Sequence, residues 1–114
     1  MTDICAVSDS RRLQLLLSEH SPGFWTARAL EHDVAAEART MSDAVRGVVE
    51  IVSAHTAFDT NHRRAPMSAF RPAPSSFWKA FSIGTPVSLA SLGMTSPAAW
   101  DFELRTLHSQ RREP

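Results

Sequence analysis

GFWTARALEHDVAAEARTMSDAVRGVVEIV, residues Gly23 to Val52, changes its hydrophobic period from two to 3.6 partway along, and that change decides the fold class. In the first part Trp25, Ala27 and Ala29 alternate with Phe24, Thr26, Arg28 and Leu30, so the two sets lie on opposite faces of extended chain. Phe24 to Asp33 and Val34 to Arg39 read as two strands with a break near Glu31 to Asp33. In the second part Thr40 can cap a helix, with Asp43 at the N3 position of a capping box. Met41, Ala44, Val45, Val48, Ile51 and Val52 then form a stripe for burial, while Arg46, Glu50 and Ser53 fall on the solvent side. A glycine in mid-helix costs about 1 kcal/mol relative to alanine, so Gly47 predicts a close approach of helix to sheet.

Working outward, Ser21-Pro22-Gly23 supplies a turn, and before it RLQLLLSE, Arg12 to Glu19, is a short leucine-dense run that suits a buried strand. Beyond the helix, His55 to Ala65 is polar and is expected to end it. Arg71 to Pro74 should be extended and lead to Ser75 or Ser76 as the cap of a short helix, Phe77 to Ser82, docked by Phe77, Trp78 and Phe81 and stopped before Gly84. A loop containing Pro86, Gly93 and Pro97 follows. From Trp100 to Leu107 apolar and charged residues alternate, which favours a half-buried strand over a helix starting at Ser96-Pro97.

The predicted order is three strands, a helix, a short helix and a strand. This is an α+β domain with an antiparallel three-stranded meander, a crossover helix, a short helix and a C-terminal strand. Residues 1–10 read as a disordered N-terminus, 11–108 as one domain and 109–114 as a frayed tail. The last strand can find its sheet within the chain, parallel to Arg12 to Glu19, or by exchange across a two-fold axis. The long loop from Gly84 to Ala99 gives it the reach for exchange, so a homodimer is expected.

With 114 residues the chain can bury one core, and its 12 basic and 12 acidic residues cancel, so no overall field draws it to nucleic acid or anionic lipid. Lys79 is the one lysine among many arginines, and alanine is abundant, a composition typical of GC-rich bacterial coding. A single cysteine, Cys5, precludes an intramolecular disulfide and a CxxC pair. Residues 1–10 lack the pattern of a signal peptide, and no apolar run reaches membrane-spanning length, so a cytoplasmic location without membrane attachment is expected.

The chemistry-bearing residues do not assemble into a familiar engine. Glu31, Asp33 and Glu37 sit on neighbouring strands, where an acid cluster could serve two-metal phosphodiester hydrolysis, but the Leu13 to Leu17 strand adds no carboxylate to complete it. The histidines, His20, His32, His55, His62 and His108, show no HxH or HxxxH spacing for a metal. Glycines are isolated, which excludes a phosphate-cradling loop, and neither a serine nor Cys5 lies in a nucleophile motif. Arg63-Arg64 and Arg111-Arg112 are small basic clusters that read as solvated charge. No catalytic group, cofactor or metal is therefore expected.

Two blocks carry a resemblance. Gly23, Trp25, Ala27, Leu30 to Asp33, Thr40 and Ala44 match the GxW-x-A strand, LEHD-like corner and T-x-x-x-A helix start of HicB-like proteins. PMSAFRPAPSSFWKAF, Pro66 to Phe81, is similar to the PAP-x-x-FW segment of that family's stand-alone members. The resemblance implies a partial RNase H fold without the RNase H catalytic acids. It also implies an antitoxin role: binding and neutralising a small HicA-type mRNA-cleaving toxin, with self-association common. Trp25, Arg28, Glu31, Asp33 and Trp78 are the candidate partner-binding residues on this reading.

The chain departs from the family in two places. Full antitoxins usually add a C-terminal DNA-binding region, and residues 85–114 are too short for a helix-turn-helix, so no specific DNA binding by this chain alone is expected. Glu37-Ala38-Arg39 also stands where relatives have a glycine-containing turn. The alternative reading is an orphan HicB-like module that binds another protein or a small ligand, with a metal-dependent nuclease as a third.

Overall fold

The computed structural model describes residues 11–95 and 100–107, and the readings of residues 1–10, Ser96-Pro97, His108 and 109–114 lie outside them. The described elements are β1 (Arg11–Ser21), β2 (Phe24–Ala29), β3 (Val34–Ala38), α1 (Met41–Asn61), α2 (Ser75–Ser82), β4 (Thr85–Val87), a single 3-10 turn (Ala90–Leu92) and β5 (Trp100–Leu107). The five strands form one mixed sheet in the order β3-β2-β1-β5-β4. The chain is thus α+β, with β1 to β3 an antiparallel meander.

β5 pairs with β1 in parallel from Arg11↔Trp100 to Ser18↔Leu107, the pairing expected for a strand that finds its sheet beside Arg12 to Glu19. The segment read as one long loop also contains β4, which pairs antiparallel with β5. At three residues and with Pro86 in the middle, it carries too little pattern to be read as a strand.

The sheet separates two apolar layers because side chains alternate along each strand. On one face Leu13, Leu15 and Leu17 of β1, Ala27 and Ala29 of β2, and Val34 of β3 are buried together with Ala44, Val45, Val48 and Val52 of α1. α1 lies over β2 and β3, where alanines leave room for it. A Cβ built on Gly47 would fall 2.8 Å from the Ala36 Cβ, so the helix approaches the sheet as closely there as the glycine predicts. Met67, together with Leu89, Leu92 and Met94, covers more of this layer. On the other face Leu16, Leu30, Ala73 and Phe81 are buried, flanked by Phe77, Trp78, Ala80 and Leu107.

α1 begins where the capping box predicts: the Asp43 amide donates to the Thr40 hydroxyl at 3.0 Å. It does not end near His55 but runs to Asn61, because Asp59 turns inward and its carboxylate accepts the Met67 amide at 2.8 Å. A buried carboxylate with a backbone partner is tolerated where an unpaired one is not. Arg63 then takes a left-handed φ of 60°, which stops the helix. Met41 and Ile51 are half-buried members of the predicted stripe. α2 starts at Ser75 after Pro74, and neither serine caps it with its side chain, since the fixed φ of Pro74 already sets the entry. Among the described residues no helix is long and apolar enough to cross a membrane.

Candidate functional site

The turn between β2 and β3 is anchored by its backbone. The Leu30 amide donates to the Gln14 carbonyl at 2.9 Å, and the Leu30 carbonyl accepts the Ala73 amide at 2.7 Å. β2 therefore ends at Ala29, four residues earlier than periodicity suggests, because Leu30 is drawn toward β1 and the segment before α2. Asp33 closes the turn at φ 51°, a left-handed conformation that aspartate tolerates better than most residues.

This geometry gathers four of the five predicted binding residues. The Arg28 guanidinium donates to the Asp33 carboxylate at 2.7 Å and lies over the Phe77 ring, 4.4 Å from its centroid. Glu31 accepts the Gln14 amide at 2.9 Å. Burial pushes the Glu31 carboxyl above its ordinary range, and the amide bond opposes that shift. Trp78 joins from α2, its indole N–H donating to the Ala73 carbonyl at 3.1 Å, so its polar end is engaged and its ring packs in the second apolar layer. Trp25 is not part of the group: it lies on the opposite face, half-buried beside the first layer.

The acids near the turn are occupied by protein groups. Arg12 and Arg105 both pair with Glu103, and this holds the Glu103 carboxyl below its ordinary range. Arg105 also donates to the Phe81 and Ser82 carbonyls at 3.2 Å each, which ties the end of α2 to β5. Glu37 does not join Glu31 and Asp33; its carboxylate is 3.9 Å from the His20 ring, farther along β3. His32, at the turn, is held below the ordinary imidazole range by burial and meets Trp100 edge-on at 6.3 Å. Among the described residues no three His, Cys, Asp or Glu side chains stand close enough to share a metal ion.

What this region offers is a sheet edge. Within the described sheet β3 has a neighbour on one side, β2, and its backbone groups on the other side face outward beside the Arg28–Asp33 pair. The opposite edge, β4, is only three residues long and carries a proline.

A second feature was missed by sequence reasoning. The last turns of α1 and the following loop enclose a cleft of about 460 Å³ lined by Ala54, His55, Phe58, Asp59, Arg64, Ala69 and Phe70. Phe58 is 50% exposed, with His62 stacked on it at 4.1 Å and the Arg64 guanidinium 5.6 Å from its centroid. His55 meets Phe70 edge-on at 4.9 Å. The one available signal was apolar Phe58 four residues after Ala54 in a stretch otherwise read as a polar helix end.

Set against known proteins, the chain matches no family model, no curated protein and no solved structure.

Proposed function

We propose that this chain is a non-catalytic protein-binding domain of the HicB-like, partial RNase H kind. It acts in the cytoplasm as an antitoxin and neutralises a small HicA-type mRNA-cleaving toxin by pairing with it along β3. The observation that carries this reading is the β3 edge, five residues without proline or lysine, beside the Arg28–Asp33 pair. Such an edge is a template for another chain, since its outward amides and carbonyls have no partner in the sheet. The fold part of the proposal is supported by the meander β1 to β3 followed by a helix and a final strand parallel to β1. A second copy of the chain is the competing occupant of the same edge, which gives a homodimer a route that does not involve exchange of β5.

The test is co-expression with a HicA-type toxin, followed by affinity measurement and rescue of growth. Ala35 is exposed on β3, so Ala35→Lys should leave the fold intact while weakening the complex at least tenfold and abolishing rescue. Unchanged affinity in that variant would move the interface off β3. Mg²⁺-dependent RNA cleavage by the pure chain, lost in Glu31→Gln or Asp33→Asn, would replace the proposal with a nuclease.

A further inference from the structure

We propose that the cleft at the end of α1 is a binding site for a small planar aromatic carboxylate. Its ring would pack on Phe58 and Phe70, and its carboxylate would pair with Arg64. None of the lining residues belongs to β3, so the inference stands apart from the antitoxin reading.

Three observations carry it. The cleft has the size and the make-up of a small-molecule site, about 460 Å³ with mostly apolar and aromatic walls and a few polar groups. Phe58 is large, apolar and half in solvent near the end of the helix, so that, although His62 stacks on its ring, part of its apolar surface stays open beside the cleft. The positive charge at the cleft is the one left without a partner. Arg64, the lining base, is exposed and forms no ion pair among the described residues, while the lining acid, Asp59, is turned inward onto the Met67 amide.

The wall is also built to hold its shape. The Arg64 amide donates to the Asp59 carbonyl at 2.8 Å, and the Asp59 carboxylate holds Met67, which is fully buried and has a left-handed φ of 62°. These bonds fix the backbone of Arg64 against the helix and leave its guanidinium over Phe58. A guanidinium poised over an exposed ring, with no carboxylate of its own, complements a ligand that supplies both a second ring and an anion.

The probe is 2-naphthoate, titrated into the full-length ¹⁵N-labelled protein, with naphthalene-2-carboxamide as its uncharged counterpart. Amide shifts should concentrate in residues 54–70, and the carboxamide should bind at least tenfold more weakly. Arg64→Gln should weaken 2-naphthoate by about tenfold and make the two probes equivalent. Phe58→Ala should weaken both, and because both side chains are exposed the amide spectra should otherwise match the wild type. Absence of shifts at millimolar probe, equal binding of the two probes by the wild type, or indifference to Arg64→Gln would overturn the proposal. So would occupation of the cleft by an acidic aromatic peptide when 2-naphthoate leaves it untouched, since that result makes it a peptide groove.

Discussion

Gly47 of α1 lies against Ala36 of β3, close enough that a methyl group on the glycine would fall 2.8 Å from the alanine Cβ. Gly47→Ala should therefore destabilise the domain even though alanine is the better helix former by about 1 kcal/mol. Overpacking of about 1–3 kcal/mol outweighs that gain. Urea unfolding of Gly47→Ala, Ala36→Gly and the double variant should show favourable coupling between the two changes. A more stable Gly47→Ala protein would mean that helix and sheet separate freely at this point.

Val48 is fully buried on the same helix, and Glu50 two residues later is exposed. Val48→Asp places a charge without a partner in the first apolar layer and should unfold the domain. Glu50→Ala should change stability by about 0.5 kcal/mol or less. Thermal melts that fail to separate the two variants would contradict the assignment of the helix face.

Burial raises the Glu31 carboxyl above its unfolded value of 4.5, so the folded chain binds this proton more tightly than the unfolded chain does. The resulting stabilisation is complete below the unfolded value and is lost as pH rises through the raised folded value. Glu31→Gln keeps an oxygen that can accept the Gln14 amide and removes the titration. The stability of the wild type minus that of this variant should fall as pH rises from about 4 to 7. A flat difference would show that Glu31 is solvated like an ordinary surface acid, and one that grows with pH would show that the fold favours its charged form.

Arg105 donates to two carbonyls at the end of α2 and to Glu103 on its own strand. Arg105→Met keeps much of the stem that packs by Phe81 and deletes the donors, at a cost of about 1–3 kcal/mol. Hydrogen exchange should show the amides of α2 opening first. Full recovery in Arg105→Lys would argue that charge alone matters, since an ammonium lacks the fork that spans both carbonyls.

Much of this architecture is written in local pattern. The alternation of Trp25, Ala27 and Ala29 with Arg28 and Leu30, the Thr40 cap and the glycine contact can be read from the sequence because each depends on residues within a turn or two, or on one missing side chain. The end of α1 cannot: its last turn is held by Asp59 bonding to Met67, and nothing in HTAFDTN announces that an acid will turn inward. The candidate site divides in the same way. Arg28, Glu31 and Asp33 are near in sequence and meet at one turn, whereas Phe77 reaches Arg28 only after α1 and its following loop have folded back. The cleft depends on left-handed Arg63 and Met67, neither of which is a glycine that would flag the bend.

The parallel pairing of β1 with β5 sets an order of events on the ribosome. β1 is made first, and its leucines stay without their second neighbour until Trp100 to Leu107 have been synthesised. A sheet whose central strand waits for the far end of the chain has high contact order, and closing so long a loop slows folding. The nascent chain therefore carries an open strand edge from the synthesis of β1 until that of β5, and a product cut short before β5 would present that edge to its neighbours as a seed for aggregation.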